Sequence, residues 1–267
     1  MKISYLASSL ITLLMEARGI RNKKHFLSYA IKNFLNRLFP CYQEHNDILI
    51  EFKEAKVWFG FAAGELSSYL EIYRDKIYEQ IPDFIPDEDA IVFDIGGNIG
   101  LYAIKQAKRV KNGKIFVFEP NPFAFKRLVK NISENHLHNI FAFNVAIYSK
   151  PCELFLYSSG STGTSRTCFT PCSDLSPIAR VKAVTLDDFV QREGIERIDL
   201  MKVDVEGSEI EVLKGAEKSL ELTKRVVMEY HSDALKNYVQ CFLKAKGFRC
   251  AGNRKAPRIL YFRREKI

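Results

Sequence analysis

Carboxylate side chains follow three apolar runs of the sequence. Asp94 comes near the end of residues 91–95, Glu119 directly follows residues 115–118, and Asp204 and Glu206 come after a run that ends at Val203. If the runs are parallel strands, their carboxyl ends share one edge of the sheet, where open α/β sheets bind ligands. We therefore expect these acids to face a common crevice and to act there as hydrogen-bond acceptors or as proton acceptors.

The first of these acids opens a glycine-rich turn. The turn contains Asp94, Gly96, Gly97, Asn98 and Gly100 in the spacing D-x-G-x-x-x-G. In the dinucleotide fingerprint G-x-G-x-x-G a second glycine brings the backbone against a pyrophosphate, and Asn98 stands at that position here. A nucleotide without a diphosphate fits better. S-adenosylmethionine is such a ligand, and its cationic sulfonium and amino acid end suit an acid at the strand terminus.

Two further positions fit a nucleoside. Glu119 follows Asp94 by 25 residues, a spacing at which an acidic side chain accepts both ribose hydroxyls. Pro120 comes next in the chain. Asn144 and Ala146 follow the third apolar run, at the height where an adenine would lie, although a simple strand exit explains them almost as well.

Asp204, Glu206 and His231 are the candidate catalytic residues, for orienting an acceptor and removing its proton. His231 follows the fifth apolar run and would titrate near neutral pH, which suits a general base. Helix capping is the alternative role for Glu206. Two carboxylates and a histidine can also form part of a divalent-cation site; we predict no metal, but that question stays open.

Alternating apolar runs and helical patterns predict βαβ units and a mostly parallel sheet. Strands are expected over residues 90–95, 114–118, 140–145, 199–203, 225–229, 248–250 and 258–262. An inserted hairpin is expected within residues 150–184, with a loop from Gly160 to Arg166 that can close over an acceptor. We divide the chain into an N-terminal helical accessory region (1–84), in which an amphipathic helix is expected over residues 63–80, and a catalytic domain (85–267).

Charge and composition limit the partners and the compartment. The 267 residues carry a formal net charge of +8, which favours anionic partners. Residues 1–40 hold seven basic residues and one acidic residue. A helical cap packed on the main domain is favoured there, with a peripheral membrane contact or a partner-binding helix as the alternatives. Six scattered cysteines without metal-site spacing indicate reduced thiols and a cytoplasmic location.

Over residues 85–235, the motifs together resemble the FkbM family of S-adenosylmethionine-dependent methyltransferases. They are D-x-G-x-N-x-G from Asp94, F-E-P-N-P around Glu119, T-L-D-D-F from Thr185 and K-V-D-V-E-G-S-E from Lys202. The resemblance implies a Rossmann-like class I fold, with a seven-stranded, mostly parallel sheet and an antiparallel last strand. It also implies methylation of a hydroxyl on a sugar, glycolipid or other small metabolite. Asp94, Gly96, Asn98 and Gly100 would surround the methionine end of the cofactor, Glu119 the ribose and Asn144 the adenine.

Three other functions compete with this interpretation. An RNA methyltransferase would suit the basic charge, but the fourth strand ends in Asp204-Val205-Glu206-Gly207 and not in an N-P-P-Y type of motif. A nicotinamide oxidoreductase is disfavoured by Asn98 and by the lack of a Tyr-x-x-x-Lys pair. A non-catalytic scaffold that binds a cofactor or docks on a membrane is the third. The sequence leaves the acceptor and the oligomeric state undetermined.

Overall fold

The structure of the protein is a computed structural model. The structure describes residues 11–12, 14–38, 47–60, 65–158, 165–168, 177–252, 256 and 258–265. The N-terminal region contributes α1 (Gly19–Leu38), β1 (Ile48–Glu51), β2 (Lys56–Phe59) and α2 (Glu65–Tyr69), which continues as a π-helix over Leu70–Arg74 and is followed by a 3-10 turn at Pro82–Phe84.

The remaining elements alternate between strands and helices. The first half contains β3 (Ile91–Ile95), α3 (Leu101–Ala107), β4 (Lys114–Phe118), α4 (Pro122–Glu134) and β5 (Ile140–Phe143). An insertion follows with β6 (Ala146–Ile147), β7 (Cys152–Ser158), β8 (Ser165–Cys168) and β9 (Pro177–Val184). The second half contains α5 (Leu186–Arg192), β10 (Leu200–Val203), α6 (Glu209–Lys214), a 3-10 turn (Ser219–Leu222), β11 (Arg225–Glu229), α7 (Asp233–Ala245), β12 (Phe248–Cys250) and β13 (Ile259–Arg264).

Seven strands form the central sheet in the order β12-β13-β11-β10-β3-β4-β5. Neighbours from β11 to β5 are parallel, whereas β13 runs antiparallel to both β11 and β12. All four residues of β10 are buried, as expected of a strand covered on both faces. The predicted Rossmann-like fold, with its antiparallel last strand, is confirmed. The predicted insertion is a separate four-stranded sheet in the order β6-β9-β7-β8, and so is larger than a hairpin.

Two hydrophobic cores flank the sheet. One joins α3, every residue of which is buried, to the N-terminal region through Phe26, Phe59 and Tyr69. The other packs α5, α6 and α7 against the opposite face. Because the described residues of the N-terminal region share the first core with the sheet, they pack directly against the main domain. Within the described residues no helix is long and apolar enough to cross a bilayer.

A helical N-terminal region was predicted, but the described part of this region also contains two strands. The strands β1 and β2 form an antiparallel hairpin there, and from residue 65 onward the helix predicted over residues 63–80 is limited to α2 and its π-helical extension. The loop predicted to close over the acceptor lies outside the described residues up to position 164. Among the described cysteine side chains, Cys152, Cys241 and Cys250 are free thiols.

Candidate active site

A cavity of about 350 Å³ opens at the carboxyl ends of the central parallel strands. It is lined by seven of the twelve predicted site residues, namely Gly96, Asn98, Glu119, Pro120, Ala146, Asp204 and Glu206. The remaining five, Asp94, Gly97, Gly100, Asn144 and His231, are not part of its lining. Glu119, Asp204 and Glu206 therefore meet in one crevice as expected, whereas Asp94 is fully buried and does not face it.

The glycine turn after β3 is shaped by the protein's own packing. Gly96 has a φ of +79°, and a Cβ there would lie 1.8 Å from the carbonyl oxygen of Asp204. A Cβ on Gly97 would lie 2.2 Å from Cγ1 of Val117. These glycines thus let the turn lie directly against the chain after β10 and against β4.

Glu119 is the residue that binds this turn to the next strand. Its Oε2 accepts a hydrogen bond from the backbone N–H of Asn98 (2.7 Å), and its Oε1 accepts one from the backbone N–H of Asn121 (2.8 Å). A carboxylate has about four acceptor positions, so about two remain for a ligand on the cavity side. Burial raises the pKa of Glu119 to about 7, although the two N–H donors oppose the shift.

Asn144 faces the main chain. Its exposed side chain donates from Nδ2 to the carbonyl oxygens of Glu119 (2.8 Å) and Pro120 (3.1 Å). The adjacent cavity wall is apolar and is formed by Val145, Ala146, Ile147 and Leu156. In this structure Asn144 positions the loop after β4, and the flat apolar wall, which includes Ala146, is the surface that suits an adenine.

A buried charge network lies beneath the cavity. Asp94 is fully buried, and its Oδ1 lies 2.9 Å from Nζ of Lys202. The same Nζ donates to the carbonyl oxygen of Gly96 (2.7 Å) and lies 3.7 Å from Oδ2 of Asp204. Burial opposes the charge on Lys202, but Asp94 and Asp204 outweigh it and raise the pKa of this lysine. Asp94 therefore positions the glycine turn from behind.

One end of the cavity is strongly acidic. Glu71, Asp204, Glu206 and Glu229 all line it. The hydroxyl of Tyr78 lies 2.9 Å from Oδ2 of Asp204 and 3.2 Å from Oε2 of Glu229, and so bridges these two carboxylates. Burial, reinforced by the charge of Asp204, raises the pKa values of Glu71 and Glu229 to about 7.

His231 lies just behind this acidic end. Its Nδ1 is 2.5 Å from Oε1 of the fully buried Glu209, and its Nε2 is 3.3 Å from Oε2 of Glu206 and 3.9 Å from Oδ1 of Asp204. Burial opposes a charge on the imidazole, but the three carboxylates outweigh burial and raise the pKa to about 9. The expected titration near neutral pH is thus displaced upward, and at pH 7 His231 is a cation.

Asp204, Glu206 and His231 also satisfy the spacing of a metal site. Each offers one ligand atom, and these atoms lie within 4.8 Å of one another. A divalent cation would have to displace the proton of the charged imidazole, because only a neutral nitrogen coordinates a metal.

Asn98 and Glu206 have a left-handed backbone, with φ of +50° and +51°. Such a conformation is costly outside glycine and concentrates at functional sites. Both residues line the cavity, one on each of the two turns that enclose it. Their backbone geometry thus supports the predicted role of both turns.

Residues of the N-terminal region also line the cavity, and the sequence analysis missed them. They are Glu65, Ser67, Ser68 and Glu71, from α2 and the π-helical segment. Glu65 is held by Arg127, with 2.9 Å between Oε1 and Nη2. These residues have the pattern of the polar face of the predicted amphipathic helix over residues 63–80, and that pattern carries no signal for a cavity wall.

The lining fits the predicted cofactor, S-adenosylmethionine. The acidic end suits the cationic sulfonium, Glu119 retains acceptor positions for ribose hydroxyls, and the apolar wall suits an adenine. Small-molecule sites have volumes from roughly 300 to 1,000 Å³, and the cavity of about 350 Å³ lies in that range.

Comparison with known proteins gives a consistent result. Residues 94–250 match the model of the methyltransferase FkbM domain. The chain is 31% identical to methyltransferase sdnD of Sordaria araneosa over 67% of this chain and 80% of that protein. It is 29% identical to 2-O-methyltransferase NoeI of Sinorhizobium fredii (60% and 71% covered), and 28% identical to hexuronic acid methyltransferase AglP of Haloferax volcanii (55% and 58% covered).

Proposed function

Because this chain belongs to the FkbM methyltransferase family, we propose that it transfers a methyl group from S-adenosylmethionine to a hydroxyl of a sugar or another small metabolite. Family membership confirms the predicted methyltransferase class. S-adenosylmethionine as the methyl donor is supported by the fit of the cavity lining to this ligand. The hydroxyl acceptor is supported by two relatives, one named a 2-O-methyltransferase and the other a hexuronic acid methyltransferase.

The observation that carries the proposal is the acidic end of the cavity. Sugar hydroxyls donate hydrogen bonds, and the carboxylates of Glu71, Asp204, Glu206 and Glu229 accept them. The same carboxylates would repel the phosphates of a nucleic acid. The cavity therefore favours a polyhydroxylated small molecule over RNA.

S-adenosylmethionine supplies an activated methyl group, with S-adenosylhomocysteine as the leaving group. The protein must align the acceptor oxygen and take up the hydroxyl proton. We assign Asp204 and Glu206 to orienting the hydroxyl, with proton uptake by a carboxylate of this acidic end. His231 lies within 4 Å of both side chains and holds them in place as a cation at neutral pH.

Two experiments test this function in sequence. Calorimetric titration of the protein with S-adenosylhomocysteine, with NAD as the control, should give micromolar binding to the first ligand only. Transfer of a labelled methyl group is then measured on a panel of glycosides and uronic acids, with transfer RNA as the competing acceptor. Binding without transfer to any hydroxyl, or with transfer only to RNA, would overturn the proposed acceptor class.

Asp204→Asn and Glu206→Gln test the assigned residues. Both should lower kcat on a glycoside by at least tenfold, because a positioned acid–base group typically contributes 10²–10⁴-fold. Their affinity for S-adenosylhomocysteine should change less than that of a Glu119 variant. Glu193→Gln is the control, since this carboxylate lies on the exposed surface outside the cavity lining.

A further inference from the structure

The helix α1 has two unlike faces. Phe26 and Tyr29 are fully buried on the inner face, where the Tyr29 hydroxyl donates to the carbonyl oxygen of Gly60 (2.8 Å). On the outer face the exposed fractions of Ile20, Leu27 and Ile31 are 77%, 49% and 51%. These three residues are spaced by seven and four positions, so they lie along one line of the helix.

Charge accompanies this apolar line. Lys23 and Lys24 are exposed and flank the line on its two sides, as the helical rotation per residue requires. The whole helix contains five lysines and arginines and no acidic residue. Just before it, Ile11 and Met15 are also exposed and lie one helical turn apart.

The apolar exposure is concentrated in this region. Eleven large apolar side chains are exposed among the described residues, and five of them fall between positions 11 and 31. The other six are spread over residues 85–222. Scattered apolar side chains are normal on a protein surface, whereas a grouped set flanked by lysines is typical of helices that lie in a membrane interface.

We propose that α1 docks this protein on the surface of an anionic lipid bilayer. The line of Ile20, Leu27 and Ile31 enters the interface, and Lys23 and Lys24 contact anionic headgroups. The proposal does not depend on the acceptor. It reconciles two of the three roles weighed for this region, the packed cap and the membrane contact, because the inner face of the helix is packed and the outer face remains available for lipid.

The docked helix is also linked to the cavity. Tyr29 donates to the carbonyl oxygen of Gly60, and the N–H of Gly60 donates to Oε2 of Glu65 (2.7 Å), which lines the cavity. Two hydrogen bonds thus separate the lipid-facing helix from the cavity wall. A methyl acceptor at a membrane surface would therefore meet a cavity wall that is linked by hydrogen bonds, through Gly60, to the membrane-bound helix α1.

Sedimentation of the full chain with vesicles tests the proposal. We expect binding to vesicles of phosphatidylcholine with 30% phosphatidylserine, little binding to phosphatidylcholine alone, and weakening as salt is raised. Replacing Ile20, Leu27 and Ile31 by Ser should lower the partition coefficient at least tenfold. Lys23→Gln with Lys24→Gln should lower it by roughly 30-fold, since each lysine near an anionic surface contributes about fivefold.

Matched controls use exposed residues elsewhere. Val129→Ser removes an exposed apolar side chain from α4, and Lys126→Gln with Lys244→Gln removes two exposed charges. Both controls should bind vesicles as the parent does, and every variant should keep the parent's thermal midpoint, because all the changed side chains are exposed.

Three results would overturn the proposal. The first is that the parent stays in the supernatant with anionic vesicles, and the second is that it binds both vesicle types equally. The third is that the α1 variants bind anionic vesicles as strongly as the parent does. Sedimentation velocity tests the alternative that a second copy of the chain occupies this face of α1. A dimer that the triple Ser variant abolishes, in a protein that does not bind vesicles, would identify the face as a contact between copies of the chain.

Discussion

Replacement of Glu119 tests the cofactor half of the site most directly. Its carboxylate uses one acceptor position on each oxygen for the N–H groups of Asn98 and Asn121 and keeps about two for ribose hydroxyls. A hydrogen bond to a charged group contributes about 1.5 to 3 kcal/mol. In the Glu119→Ala variant, water can accept hydrogen bonds from the two ribose hydroxyls and so recover part of the lost energy. We therefore expect this variant to bind S-adenosylhomocysteine more weakly by about 1 to 3 kcal/mol.

The assay is calorimetric titration at pH 8, where the parent carboxylate is charged. A loss of 1 to 3 kcal/mol corresponds to a dissociation constant raised by about 5- to 150-fold. Glu88→Ala, which removes a carboxylate that is 67% exposed, is the control and should bind as the parent does. Equal affinity of the Glu119→Ala variant and the parent would refute the assignment of Glu119 to the ribose.

The raised pKa of Glu119 adds a pH signature. In the free protein the pKa is about 7, so a growing fraction of this carboxyl is protonated as the pH falls below 7. Ribose hydroxyls donate to the charged form, so binding lowers the pKa, and affinity should fall by up to tenfold per pH unit below 7. Glu71 and Glu229 titrate in the same range, so the comparison is with Glu119→Gln, whose affinity should vary less with pH.

Three substitutions test the packing and the helix capping around the cavity. Lys202→Met leaves the buried carboxylate of Asp94 without its cation and should lower the free energy of unfolding by about 3 to 5 kcal/mol, as measured by urea denaturation. The double variant with Asp94→Asn should recover part of this loss. Gly97→Ala should cost about 1 to 3 kcal/mol because its Cβ meets Val117, and the double variant with Val117→Ala should be more stable than the sum of the single effects predicts. Asn121→Ala removes the N-cap of α4 and should lower the free energy of unfolding by about 1 kcal/mol; an unchanged value would contradict the capping role.

The central sheet could be predicted because its signals are local. The strands β4 and β11 are apolar runs with clear ends, and both have the predicted bounds. The hairpin of β1 and β2 was missed because its two apolar runs, 48–50 and 57–59, are only three residues long. Its backbone N–H groups at Lys56 and Trp58 donate to the side chains of Asn135 and Asn131, more than 70 residues away. A contact over that distance leaves no pattern in the hairpin's own sequence.

The site shows the same division. The rule that ligands bind at the carboxyl ends of strands was enough to group Glu119, Asp204 and Glu206. The charge on His231 depends on three carboxylates that meet only in the fold, one of them the buried Glu209. Glu71 reaches the cavity from the N-terminal region, and nothing in its local sequence indicates that destination.

The cavity wall supplied by α2 and the π-helical segment has a consequence for how this enzyme can diverge. Glu65, Ser67, Ser68 and Glu71 lie outside residues 94–250, the part that matches the family model. Under the proposed function, we expect substitutions in this short segment to alter which acceptor fits while the cofactor half stays constant. The family motifs indicate the reaction that such a protein catalyses but not its acceptor. We therefore expect an exchange of residues 65–74 between relatives to change acceptor specificity.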